Sequence, residues 1–278
     1  MTKPYTLQAL ARSLVAHGDR PSILAFHQHR IETWSFRELS DTVAHLASGL
    51  GEAGLRDGQH VAIYSPNRSE WIIACLALLY AGAVPVPIDS QMTSDDLRHV
   101  LEDSESCWIV TIRALADRVT TASLHRNRFL ILLDAEQDDP RSWRRFRREP
   151  TQRVPSVQPD DSALLFYTSG FSGRPKGVPL SHRNLMSNLQ ALMDVHVYRT
   201  DERLLLPLPL HHVYPFMVGL LAPLALGLPI VLPQSLRFIQ RDWLSSNHLL
   251  GLHGSGNALV DTGYCSRRDM TMQLVEHA

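Results

Sequence analysis

Residues 160–185, DDSALLFYTSGFSGRPKGVPLSHRNL, hold the groups best suited to chemistry. An apolar run at 163–167 leads straight into a loop dense in glycine and hydroxyls. Gly170, Gly173 and Gly177 permit positive φ and close backbone approach, so successive N–H groups could point into one concavity and cradle phosphate oxygens. Thr168, Ser169 and Ser172 add hydroxyl donors, and Lys176 adds positive charge. Two readings fit these residues: a polyphosphate cradle, or an ordinary Ser/Gly/Pro turn after a strand. The P-loop of simple kinases and GTPases is excluded, because Pro175 precedes Lys176 and Gly177 follows it, where GxxxxGK[ST] needs Gly-Lys-Ser/Thr.

Tyr167-Thr168-Ser169-Gly170, followed by Gly173-Arg174-Pro175-Lys176-Gly177-Val178, resembles the signature loop of the adenylate-forming (AMP-binding) superfamily. Acyl-CoA synthetases, nonribosomal adenylation domains and luciferases belong to it. Downstream, Leu180-Ser181-His182-Arg183-Asn184-Leu185 is similar to the helix start after that loop, with Ser181 the expected N-cap. Three further segments resemble the family in the right order: residues 33–39, residues 79–89, and Pro209-Leu210-His211-His212-Val213-Tyr214. The last resembles the corner that helps line the carboxylate and acyl pocket, and His212 matches its histidine. Without the motif, a lone histidine at a helix start reads as a structural residue.

The resemblance implies that a carboxylate attacks the α-phosphorus of ATP, giving an acyl-adenylate and pyrophosphate, after which the thiol of coenzyme A commonly displaces AMP. It implies ATP, Mg²⁺ and coenzyme A as co-substrates and cofactors, and a small carboxylic acid, fatty acyl in the favoured reading, as partner. Thr168, Ser169, Gly170, Ser172, Gly173, Lys176 and Gly177 are the expected nucleotide contacts and His212 the expected substrate contact. Phe171 departs from the pattern, standing where the family usually offers threonine or serine. The family's adenine pocket, magnesium-binding glutamate, ribose-binding aspartate and lid lysine are not identifiable. The segment 198–201 lacks the glycine before its aspartate and reads as a solvated turn. The chain therefore reads as the N-terminal part of an acid-CoA ligase, needing a C-terminal half or a partner chain. The competing reading is a non-catalytic module that keeps nucleotide or acyl affinity. Either way, apolar surface around residues 220–232 is expected to lie uncovered, and residues 251–257 depart from the family's usual turn.

The elements that must position these groups alternate amphipathic helices with short apolar runs, the pattern of a layered α/β fold with largely parallel sheets and helices on the faces. It is the fold expected of the N-terminal domain of acyl-CoA synthetases, here incomplete. Residues 35–50 place Phe36, Leu39, Val43, Leu46 and Leu50 at helical spacing. Residues 60–64 read as a strand and 69–80 as a second helix. Pro85 and Pro87 make 83–88 extended and suggest a sheet edge or terminus. Helix resumes at 93–102, and strands follow at 107–111 and 128–133. Residues 134–159 are polar, Arg-rich and punctuated by prolines, and read as a linker whose arginines are solvated. The expected division is a first α/β unit at 1–159 and a second at 160–278, carrying the phosphate loop.

Bulk properties narrow the partners. At 278 residues and 44% hydrophobic content the chain can bury a core, and its net charge of -1 leaves no field for nucleic acid or anionic membrane. Cys75, Cys107 and Cys265 have no paired spacing, which argues against a disulfide framework or a zinc site and fits a cytoplasmic location. The N-terminus reads as an ordinary helix rather than a signal peptide. Residues 213–232 are nearly all apolar, but the prolines between 207 and 233 argue against a single span and for a buried helix followed by a buried strand.

Overall fold

A computed structural model describes residues 5–27, 30–122, 129–150, 156–169, 173–196, 198–199 and 201–234. Helix α1 (Leu7–Ser13) starts where the Thr6 hydroxyl accepts from the Ala9 N–H. Strands β1 (Pro21–Phe26) and β2 (Ile31–Ser35) form an antiparallel pair. Ser35 then opens α2 (Phe36–Glu52) through a reciprocal capping box with Glu38. The apolar residues expected at helical spacing, Phe36, Leu39, Val43, Leu46 and Leu50, are all buried on it.

Four parallel strands follow: β3 (His60–Tyr64), β4 (Val84–Ile88), β5 (Trp108–Thr111) and β6 (Phe129–Leu132), in the order β4-β3-β5-β6. Helices α3 (Ser69–Tyr80), α4 (Ser94–Asp103) and α5 (Arg113–Ala122) connect them. Strand β4 lies at the sheet edge, the position that Pro85 and Pro87, lacking N–H donors, can occupy. Helix α3 is buried almost all round.

The second part supplies the hairpin β7 (Ser162–Ser169) and β8 (Pro175–Ser181), helix α6 (His182–Asp194) and the short strand β9 (Leu204–Leu205). Its apolar stretch forms a π-helix at Pro215–Leu221, α7 (Ala222–Leu226) and β10 (Ile230–Leu232). The wide hydrogen-bond spacing carries the Ala222 N–H to the Met217 carbonyl, just before Pro223, which has no N–H to give to the preceding turn. Strand β10 inserts between β1 and β9 in a sheet of order β2-β1-β10-β9, so this sheet draws strands from both sides of residue 159. Among the described residues no helix is long and apolar enough to cross a membrane.

Two expectations are corrected. Leu220, Leu221, Leu224, Ile230, Val231 and Leu232 are buried inside this chain rather than left uncovered. Phe216 touches Trp71 of α3 and Phe166 of β7 at ring separations of 6.4 and 5.7 Å, which ties the stretch to the main core. The polar stretch read as a linker is packed where it is described. Ser142 and Trp143 are buried, the Arg148 N–H donates to the His45 carbonyl, and Ser48 donates to the Glu149 carbonyl. Its arginines are largely solvated, as expected: Arg141, Arg145, Arg147 and Arg148 are exposed, Arg141 lying 3.2 Å from Asp139, and only Arg144 is half-buried, over the Trp143 ring and donating to the Ala135 carbonyl.

Candidate functional site

The glycine-rich loop is the tip of the β7–β8 hairpin. Strand β7 is buried from Ala163 to Phe166, half-buried at Tyr167 and exposed at Thr168. Cross-strand register pairs Thr168 with Lys176 and Ser169 with Pro175. Directly opposed residues share a face of the ladder, so a hydroxyl and an exposed ammonium project side by side at the neck of the loop. Gly173 turns the chain at φ +88°, a conformation that side chains disfavour. Gly177 does not have positive φ. It is a strand residue whose missing side chain makes room for the Tyr167 ring and Leu165. Gly170, Phe171 and Ser172, and the segment 251–257, lie outside the described residues.

Beyond the hairpin, Ser181 caps α6, accepting from the Asn184 N–H at 3.1 Å while Asn184 accepts from the Ser181 N–H at 3.0 Å. His182 is buried, and its Nδ1 accepts the Leu7 N–H at 3.1 Å, so the first turn of α6 also holds the first turn of α1. Burial keeps that imidazole below its ordinary pKa, opposed by Asp161. Arg183 grips Asp160 through two contacts at 2.7 and 2.8 Å, closing the base of the hairpin.

The histidine corner is held from the other sheet. The Asn67 side chain, in the β3–α3 connection, donates to the Leu208 carbonyl at 2.8 Å and accepts from the Leu210 N–H at 2.9 Å. His212 is exposed, and its neighbour His211 turns inward with ring centroids 4.2 Å apart. His211 Nε2 lies 4.0 Å from Asp89 Oδ1, one residue past the end of β4. Burial pushes the His211 pKa down, His212 adds to that, and Asp89 opposes it. His211 and Asp89 escaped the sequence reading. The only signal for them was membership of two separate family-like segments, which cannot reveal that the segments meet.

Among the described residues no hydrogen bond or ion pair joins His212 to Thr168 or Lys176. The two regions are connected through the core by the Phe166–Phe216 contact. The segment read as a solvated turn at 198–201 is partly anchored, because the Tyr198 hydroxyl donates to the Val218 carbonyl at 2.8 Å. Arg199 and Asp201 are exposed, as expected.

Residues 10–246 match the family profile described as AMP-binding enzyme. An oxalate–CoA ligase from Arabidopsis thaliana is 33% identical over 213 residues, which is 72% of this chain and 40% of that protein. A feruloyl-CoA synthase from Amycolatopsis is 36% identical over 182 residues, 64% of this chain and 34% of that protein. The solved structure of a fatty acyl-adenylate ligase from L. pneumophila, in complex with acyl adenylate and pyrophosphate, is similar in fold. Its TM-score is 0.73 at 23% identity, covering 87% of this chain and 42% of that one. The chain spans less than half the length of each of these relatives.

Proposed function

The chain belongs to the AMP-binding enzyme family, and from that premise we propose that it serves the ATP-dependent activation of a carboxylic acid to an acyl-adenylate. The observation that supports this most is the pairing of Thr168 with Lys176 at the neck of a loop turned by Gly173. A carboxylate oxygen would attack the α-phosphorus, the bond to the bridging oxygen would break, and pyrophosphate would leave with its electron pair. Most of the protein's work in such a reaction is positioning and charge neutralisation. We assign the β- and γ-phosphates to Thr168, Ser169, Gly170, Ser172, Gly173, Lys176 and Gly177, and the carboxylic acid to the corner bearing His212. Among the described residues no group of three or more His, Cys, Asp or Glu suits a metal ion. These residues therefore do not build a Mg²⁺ cage of their own, and an ion would be held largely by the nucleotide's phosphates.

The finer reading is a fatty acyl substrate passed on to coenzyme A as a thioester. Its support is the motif resemblance and the relatives' names, which include a fatty acyl-adenylate ligase but also oxalate and feruloyl ligases. The apolar residues Phe216 to Leu224 lend it no support, because they are spent on the core. The relatives are more than twice as long as the matched part, and the described residues carry no assignment for adenine, ribose or lid contacts.

Calorimetric titration of Mg-ATP into the parent and Lys176→Ala tests the loop assignment. Loss of a charge-assisted contact to phosphate is expected to weaken binding by about tenfold or more. Equal affinities would remove the hairpin tip from the phosphate site.

A further inference from the structure

Helix α4 grips the neck of the hairpin from outside. His99 Nε2 lies 2.9 Å from the Pro175 carbonyl, and since a carbonyl only accepts, that nitrogen carries the proton. Four residues on, Asp103 Oδ2 accepts the Tyr167 hydroxyl at 2.6 Å. Residues four apart stand one above the other on a helix face, about 6 Å along its axis. Tyr167 belongs to β7 and Pro175 to β8, so one helix face holds both strands. The ladder pairs concerned, Tyr167 with Gly177 and Ser169 with Pro175, flank the Thr168–Lys176 pair on either side.

We propose that His99 and Asp103 are positioning residues that clamp both strands of the hairpin to α4 and so preset the direction of the Thr168 and Lys176 donors. The proposal rests on the nucleotide reading above and adds to it the groups that orient the loop. Oriented donors act on a developing phosphate charge without reorganising at the moment of reaction, and their value falls when their support is loose. Burial, reinforced by Asp103, holds the Tyr167 phenol above its ordinary pKa. The hydroxyl therefore stays a donor across the whole neutral range. Gly177 fits the device, because a β-carbon there would stand 3.3 Å from the Tyr167 ring, against the phenol that Asp103 holds.

The test compares the parent with His99→Ala, His99→Gln, Tyr167→Phe and the double variant His99→Ala/Tyr167→Phe. Three quantities are followed: amide hydrogen exchange of residues 173–178, Mg-ATP affinity and melting temperature. Loosening of the neck should raise exchange at these residues and weaken Mg-ATP binding about tenfold in the double variant. His99→Gln, which keeps a side-chain N–H donor, should stay within about twofold of the parent. Unchanged exchange in the double variant overturns the clamp. So does faster exchange with unchanged affinity, and so does a Gln variant as defective as the Ala variant at equal melting temperature. If the double variant does not fold, Tyr167→Phe alone decides by the same criteria. If the parent binds no Mg-ATP, the nucleotide reading falls, and the clamp is judged on exchange.

Discussion

Gly177 lies directly opposite Tyr167 in the β7–β8 ladder, and a β-carbon on Gly177 would stand 3.3 Å from the phenol ring and 3.2 Å from the Leu165 side chain. The ring must give by a few tenths of an ångström, and its bond to Asp103 opposes that shift. Gly177→Ala is therefore expected to destabilise the fold by about 1 kcal/mol, the cost of modest overpacking. Denaturant unfolding measures it, and a neutral or stabilising result would show that the ring yields freely.

Two glycines of α2 give opposite outcomes from the same substitution. A β-carbon on Gly49 would fall 1.4 Å from the Phe146 carbonyl oxygen, whereas one on Gly51 meets nothing within 4 Å. Gly49→Ala must push the 143–149 segment off the helix and is expected to cost about 3 kcal/mol or more. Gly51→Ala should stabilise by about 0.5–1 kcal/mol through helix propensity. Equal effects in thermal melts would contradict the packing of residues 143–149 on α2.

Stability should fall in mild acid. His182 is held below its ordinary pKa of 6.5 by burial, His17 by burial and the Arg20 charge, and His211 by burial and His212. A histidine with a depressed folded pKa binds its proton more readily when unfolded. Its contribution is complete above the unfolded value of 6.5 and is lost as pH falls through the lower folded value. The urea midpoint should therefore drop between about pH 7.5 and pH 5. His182→Gln offers an oxygen to the Leu7 N–H but no titration, so its midpoint should vary less with pH. A slope equal to the parent's would place the acid sensitivity elsewhere.

Asn67 is expected to act at a distance on the histidine corner. Asn67→Ala removes two hydrogen bonds and strips the Leu210 N–H and the Leu208 carbonyl of their side-chain partner. The expected cost is about 2 kcal/mol, with faster amide exchange at Leu210. An unchanged Leu210 exchange rate would show that the corner is held by its own packing.

Much of the molecule was legible because its signals are local. Ser35 with Glu38 and Ser181 with Asn184 begin helices through hydrogen bonds spanning three residues, and such pairs can be read directly from the chain. The paired prolines of β4 mark a sheet edge because a residue without an N–H cannot serve two neighbours. The glycine, hydroxyl and lysine spacing at 168–177 marks a candidate phosphate loop by the same local logic, while leaving an ordinary turn open.

What that spacing could not convey is which atoms face each other across long stretches of chain. The sequence offered Gly177 for positive φ or close approach within a loop, and cross-strand packing settles on close approach, making it a strand residue against Tyr167. It singled out His212, but the fold turns the adjacent His211 toward Asp89, more than a hundred residues earlier. It left 134–159 as a polar linker, and the fold seats the Phe146 carbonyl on the bare backbone of Gly49. It predicted an uncovered apolar stretch at 220–232, and the fold inserts β10 beside β1, with Ile23 paired to Ile230. The sequence by itself determined the local elements and the residue types they carry, because caps, periodicity and prolines act over a few residues. Only the tertiary structure decided the partners, because a strand's neighbour or a carbonyl's donor is chosen by packing among segments that share no local signal.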